Sequence, residues 1–228
     1  MSGYESLMNY YHECFAFVDC FHFNSEVSKA VYTSCLPDVT GKVVPITHSG
    51  IKDNRKKKSF DADKVKIGFI GSEEPFKGLP LLIEILQEIG TSDKWDLSVW
   101  GCRVARHPSL PIYYRGKFKA DTMRNVYDDM DVLIVPSVWK ETFSLVTLEA
   151  LSYGVPVIVS DNVGAQDIVK RYDNRFVFHD KNELAELIKT IIADRSSLRA
   201  YNLQICDLPW NHDMKSHAID VINMLYRE

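Results

Sequence analysis

From about residue 64 onward the chain alternates short, β-rich apolar runs with segments of helical length and helical periodicity, and this alternation admits few folds. Strands read at 65–70, 97–100, 111–114, 132–135, 155–159 and, weakly, 176–178. Helices read between and after them at 79–89, 120–128, 145–153, 165–172, 182–193, 196–204 and 212–226. Strands and helices that take turns in this way build a parallel sheet with helices packed against it. The runs at 132–135 and 155–159 are almost wholly apolar, as strands covered on both faces are. The expected fold class is therefore α/β, a Rossmann-like open parallel sheet with helices on both faces. Leu79, Leu82, Ile83, Leu86 and Ile89 recur at i, i+3, i+4, i+7 and i+10, which predicts one helical stripe facing that sheet.

Open doubly wound sheets bind ligands beyond the carboxyl ends of their strands, so the loops at 71–77, 101–108, 136–144 and 160–164 are expected to line one cleft. The most informative of these follows the apolar run that ends at Pro136. A helix is expected to open near Thr142 or Ser144, either of which could serve as its N-cap. The free amides and positive dipole end of such a helix would face the cleft, where a diphosphate could sit. Glu141 and Glu149 bracket this start. Were the chain helical throughout, eight residues would separate them by about 12 Å, too far to share a proton but suited to the two ends of an extended ligand. Carboxylates accept hydrogen bonds from hydroxyls, which a sugar nucleotide offers at both ends. Spacing alone equally allows a first-turn dipole partner and a solvated helix residue. The loop after the strand at 65–70 carries Gly71, Ser72 and then Lys77-Gly78, which lacks the Gly-Lys-Ser/Thr order of a Walker A loop.

The stretch Pro136-Ser137-Val138-Trp139-Lys140-Glu141-Thr142-Phe143-Ser144-Leu145-Val146-Thr147-Leu148-Glu149 resembles the E-x7-E signature of retaining glycosyltransferases of family 4. The match continues through Gly154-Val155-Pro156-Val157 and Asn162-Val163-Gly164-Ala165-Gln166-Asp167-Ile168-Val169, and Trp210 resembles the tryptophan before that family's final helix. The resemblance covers roughly residues 64–228. It implies the two-domain GT-B fold, with residues 64–228 as the nucleotide-sugar-binding domain and residues 1–63 as the tail of an N-terminal domain plus the interdomain linker. It further implies that Glu141 contacts donor-sugar hydroxyls, that backbone amides of Phe143, Ser144, Leu145 and Val146 hold sugar and phosphate oxygens, and that Glu149 binds the ribose. Gly71, Ser72 and Lys77 occupy the family's G-R-x4-K-G pattern, whose cations neutralise the leaving diphosphate; Glu141 and Lys77 become the expected catalytic pair. Lys117 or Phe118 falls where the family contacts the nucleobase through its backbone, although Phe118 reads equally as core. Thr47-His48-Ser49-Gly50-Ile51 resembles the interdomain connector, with His48 as a hinge residue rather than a base.

Two departures from the family pattern matter. Ser144 stands where glycine is common, and because serine suits a helix start it is expected to be tolerated. Ser72 stands where the family has arginine, which removes a bidentate phosphate contact; Arg103 and Arg106 are the nearest replacements by topology.

Residues 1–63 offer little apolar surface for a core of their own. Phe15-Ala16-Phe17-Val18 reads as a strand or a helix end, Asn24-Ser25-Glu26 opens a helix reaching about Thr33, and a short strand follows at 42–45. In the resembled family the acceptor site and an important histidine lie in the N-terminal domain, which is essentially absent here. The expected activity is thus donor binding with weak or no transfer, to an acceptor that is a saccharide or lipid-linked saccharide. The competing readings are a noncatalytic nucleotide-sugar-binding or partner subunit, which Ser72 favours, and an epimerase or hydrolase on the same fold.

Other features bound the function classes. A formal charge of -4 gives no general attraction to nucleic acid. The basic run Arg55 to Lys58 reads as a solvated loop, with contact to an anionic membrane or partner as the alternative. Five scattered cysteines without a C-x-x-C pair argue against a disulfide framework or structural zinc. The histidines show no metal-ligand spacing, so neither metal nor cofactor is expected and the nucleotide sugar is a substrate. No apolar run reaches membrane-span length and the first residues lack a signal-peptide pattern, which predicts a cytoplasmic protein, at the inner face of the membrane if the basic run meets lipid.

Overall fold

Residues 3–43 form a small β-α-β unit preceded by a helix: α1 (Gly3–Phe15), β1 (Phe21–Phe23), α2 (Glu26–Cys35) and β2 (Gly41–Val43). This computed structural model describes residues 3–102, 107 and 109–226. Strands β1 and β2 pair in parallel, as a crossover through α2 requires. The Phe15–Val18 run resolves as the end of α1 and the turn after it. Ser25 opens α2 with a capping box: its side chain accepts the Ser28 amide while the Ser28 hydroxyl accepts the Ser25 amide.

Six further strands, β3 (Val65–Ile70), β4 (Trp95–Trp100), β5 (Ile112–Gly116), β6 (Val132–Val135), β7 (Val157–Ser160) and β8 (Val177–Phe178), pair in parallel in the order β5-β4-β3-β6-β7-β8. Helices α3 (Leu79–Ile89), α4 (Met123–Asp128), α5 (Leu145–Ser152), α6 (Gln166–Tyr172), α7 (Lys181–Ala193) and α8 (Ser196–Asp207) complete the layers, and α9 (Met214–Leu225) follows. Every residue of β6 and β7 is buried, which explains why their sequences carry no polar alternation. In α3 the buried residues are Leu79, Leu82, Ile85 and Leu86. Ile83 and Ile89 are only half-buried, so the helix turns its stripe slightly toward Ile85 from the expected face.

The basic run is only in part the solvated loop that the sequence suggests: Lys56 and Lys57 are exposed, whereas Arg55 and Lys58 are turned onto the body. Arg55 donates to the carbonyls of Ile205 and Leu208, pairs with Asp53 and lies 5.2 Å from the centre of the Trp210 ring. Lys56 pairs with Asp128 at 2.7 Å and Lys57 with Asp207 at 3.3 Å. Lys58 donates to the carbonyls of Tyr127 at 3.0 Å, Asp128 at 3.2 Å and Met130 at 2.5 Å. Helix α4 ends at Asp128, where carbonyls have no intrahelical donor and the dipole is negative, so a cation there satisfies both. The run staples the linker to the sheet domain. No helix among the described residues is long and apolar enough to cross a membrane.

Candidate functional site

The chain winds away from β3 in both directions: β4 lies on one side and β6 on the other. A crevice opens at such a switch point beyond the carboxyl ends of the two central strands. The loops that meet there are locked together. The Val138 amide donates to the Phe76 carbonyl at 3.0 Å, and Gly78, at φ 81°, lies where a Cβ would collide with the Pro136 carbonyl. Only glycine permits this approach. It sets Lys77, in a 3-10 turn (Pro75–Lys77), against Glu141, with Nζ 2.9 Å from Oε1. The Ser137 hydroxyl donates to the same oxygen. The Glu141 side chain is 11% exposed and that of Lys77 32% exposed, so the pair forms one wall of the crevice.

Glu141 is not helical. It bridges Val163 in parallel fashion, its amide donating to Asn162 at 2.9 Å and its carbonyl accepting from Gly164 at 3.1 Å. The helix begins only at Leu145, so the separation expected from a continuous helix does not apply. Of the two expected N-caps Ser144 takes the position, at φ 94° and ψ 87°, but its side chain makes no capping bond. The Thr147 hydroxyl instead donates to Ser144 Oγ at 3.1 Å, and the Thr142 carbonyl accepts the Ser25 hydroxyl at 2.7 Å. The physical reason is directional: the chain reverses out of a β-bridge into the helix within Thr142, Phe143 and Ser144, which forces the last of these into the left-handed region. In return, the amides of Phe143, Ser144, Leu145 and Val146 make no hydrogen bond to other described residues.

Glu149, four residues into α5, is held from two sides. Tyr127 donates its phenol to Oε2 at 2.7 Å, and His48 Nε2 lies 3.1 Å from Oε1. The Gly50 amide donates to His48 Nδ1 at 3.1 Å, so Nδ1 is the acceptor and Nε2 carries the proton given to Glu149. Tyr127 is fully buried and stacks on Tyr153, ring centres 5.3 Å apart at 16°. Burial and then the neighbouring Glu149 charge push its phenol well above the usual tyrosine range, so it remains a donor.

The remaining expected residues are placed as follows. Phe118 is half-buried and meets Trp100 and Tyr127 edge-on, ring centres 5.7 and 6.5 Å apart, so its side chain packs while its amide has no partner among the described residues. Gly71 donates its amide to Trp100 at 3.0 Å and accepts from Cys102 Sγ at 3.1 Å. Ser72 is exposed and brings no charge. Arg103 and Arg106 lie outside the described residues. Sequence reasoning missed Tyr127, Ser137 and Ser25 as partners of this region. Ser137 lies inside the recognised motif, but Tyr127 sits beside Val126 on the buried face of a short helix with nothing to distinguish it from core, and Ser25 is remote in sequence.

The molecule is a doubly wound α/β domain whose switch-point crevice holds a Lys–Glu pair, a row of amides without partners among the described residues and a second, largely buried carboxylate. The chain belongs to the glycosyl transferases group 1 family, whose model matches residues 50–203. It is 30% identical over 130 residues to the uncharacterized glycosyltransferase MJ1607 of Methanocaldococcus jannaschii, covering 53% of this chain and 33% of that protein. It is 25% identical over 170 residues to the lipopolysaccharide 1,2-N-acetylglucosaminetransferase of Salmonella typhimurium, covering 64% of this chain and 45% of that one. The chain thus spans between a third and a half of the length of these relatives. Among solved structures, Anabaena Alr3699/HepE in complex with UDP and glucose superposes with a TM-score of 0.72 at 17% identity, over 98% of this chain and 67% of that one. TarM of S. aureus superposes with a TM-score of 0.74 at 16% identity, over 96% and 46%. These likenesses establish the GT-B glycosyltransferase fold.

Proposed function

We propose that residues 64–228 are the donor-binding domain of a retaining glycosyltransferase of family 4, taking a nucleoside-diphosphate sugar. The observation that carries this reading is the row of unpartnered amides from Phe143 to Val146 between the carboxylates of Glu141 and Glu149, beside Lys77. The amides and Lys77 hold the diphosphate, Glu141 takes sugar hydroxyls and Glu149 takes the ribose. The amide of Phe118 faces the base, and no metal or other cofactor takes part. Lys77 must exchange its bond with Glu141 for phosphate oxygens when donor enters, a swap within hydrogen-bond reach. Residues 1–63 supply the end of a second domain and the connector, and the acceptor is a saccharide or lipid-linked saccharide. With Ser72 bringing no cation, these 228 residues alone bind donor but transfer its sugar slowly.

Calorimetry against UDP-glucose, UDP-N-acetylglucosamine, GDP-mannose and ADP-glucose tests the reading. One donor should bind with a micromolar to millimolar Kd, and Glu149→Ala or Lys77→Ala should each weaken it by about tenfold or more, the loss of a charge-assisted contact. Binding unchanged in both variants would sink it. A second reading, a noncatalytic nucleotide-sugar-binding subunit, rests on Ser72; donor binding without release of nucleoside diphosphate under any acceptor would favour it, and restored turnover in Ser72→Arg would speak against it.

A further inference from the structure

The connector that joins residues 3–43 to the sheet domain touches Glu149 through His48. It is pinned on both sides of His48: Val44 donates to Phe23 at 2.9 Å, the Thr47 hydroxyl to the His212 carbonyl at 2.7 Å, and Asn54 to Ser152 at 2.8 Å. Between these points His48 reaches down to Glu149. The two partners of that carboxylate differ in kind. Tyr127 is wholly buried beneath it and cannot leave without opening the core, whereas the His48 side chain is 36% exposed and lies on the solvent side. The Glu149 side chain is itself only 12% exposed, and His48 is the more exposed of its two partners. His48 Nε2–H takes one acceptor site of Oε1 and the Tyr127 phenol one of Oε2, so a hydroxyl reaching Oε1 from the exposed side meets the His48 ring.

We infer that His48 is a stand-in for the ribose: its ring occupies the Glu149 oxygen that the ribose hydroxyls require, so that nucleotide binding displaces His48 and reports occupancy to the connector. This rests on the reading of Glu149 as the ribose-binding residue. A diol approaching Glu149 competes with His48 for one oxygen while Tyr127 keeps the carboxylate oriented from below, which makes Tyr127 the positioning residue and His48 the displaceable one. Sequence provides for the docked ring. A Cβ at Gly50 would lie 2.8 Å from His48 Cε1 and 3.0 Å from Nδ1, so any larger residue at position 50 pushes the ring off its seat. The coupling is reciprocal: whatever holds His48 on Glu149 weakens nucleotide binding, and nucleotide loosens residues 47–51 by the same factor.

The test uses the full chain and UDP, GDP, ADP and CDP, each beside its 2′,3′-dideoxy counterpart, in calorimetry. His48→Ala and Gly50→Ala remove the competitor in different ways. Each should tighten the preferred ribonucleotide by about threefold, the worth of a half-exposed hydrogen-bonded pair, and leave the dideoxy compound unchanged because it makes no claim on Glu149. In the unaltered chain, adding the ribonucleotide should speed hydrogen exchange at the Gly50 amide, which loses its acceptor when His48 moves. Ribonucleotide binding that is weakened or unchanged in His48→Ala, or a matching tightening of the dideoxy compound, overturns the inference while leaving the donor reading intact. An unaltered chain that binds none of the nucleotides overturns both.

Discussion

Helices α3 and α1 have similar lengths and both carry apolar residues at helical spacing, yet they sit in opposite surroundings. Helix α3 buries Leu79, Leu82, Ile85 and Leu86 against the large sheet. Helix α1 buries none of its residues and leaves Tyr4, Leu7 and Tyr10 at least half exposed; α9 likewise buries none and exposes Ile219 and Ile222. The difference teaches that periodicity reports the capacity to be a helix, and only contact converts that capacity into stability. It also divides the molecule into a sheet domain that holds itself together and flanking helices that contribute little to this chain's folding. The sharpest way to break that division is a matched pair of truncations. Leu133→Ala, at the centre of the sheet and wholly buried, should cost about 4 kcal/mol. Leu7→Ala, in α1, should change stability by less than about 0.5 kcal/mol. Urea unfolding reads both, and a comparable loss in the two variants would show that α1 is packed.

The seam between the body and α9 supplies the next effect. His212 is buried beside Trp210, and desolvation, then the charges of Arg171 and Arg55, lower its pKa to about 4. A histidine neutral when folded but free to protonate near pH 6.5 when unfolded gives stability that is full above that pH and is lost as pH falls toward about 4. The loss over that window should reach about 3 kcal/mol, and His212→Phe should flatten this part of the pH–stability curve measured by urea unfolding. Smaller still is a contrast within the basic run. Lys58→Met keeps the apolar stem but strips a donor from three carbonyls and should cost about 2 kcal/mol. Lys57→Met breaks only an ion pair whose two side chains are each 63% exposed, and its midpoint should not move measurably.

These contrasts also mark what the sequence could and could not convey. The sheet domain was legible because β6 and β7 are apolar on both faces and helices such as α3 keep one stripe: the spans of β3, β6 and α3 agree with the sequence reading residue for residue. Most of the local motif was legible too, since Lys77, Gly78 and Glu141 lie on loops that topology brings to one end of β3 and β6. Long-range polar partners were not. Nothing local distinguishes Tyr127 from a core aromatic, and the meeting of His48 with Glu149 depends on the path of a connector about one hundred residues away in sequence. Within the basic run Arg55 and Lys58 misled, because charge is read as solvated unless its acceptors are known, and here those are carbonyls, which carry no sequence signature.

Ser144 is where local preference and observed conformation disagree most, and it brings the comparison to the site itself. A serine before a helix is expected to cap it from an extended conformation, but this one is held at φ 94° and ψ 87° with no capping bond. Outside glycine that region crowds Cβ against the backbone, at a cost of about 1–2 kcal/mol. The sheet domain, unlike α1, has enough packing around the position to impose it: Phe143 on one side and Leu148 on the other are almost fully buried. Ser144→Gly should therefore relieve more strain than it adds in unfolded-chain entropy and raise stability by about 1 kcal/mol, seen as a higher urea midpoint at unchanged slope. Because glycine adopts the same backbone angles, the path of the chain from Phe143 to Val146 is kept. A lower midpoint would mean that the Thr147–Ser144 hydroxyl bond outweighs the strain, and that the serine is retained for what its side chain holds.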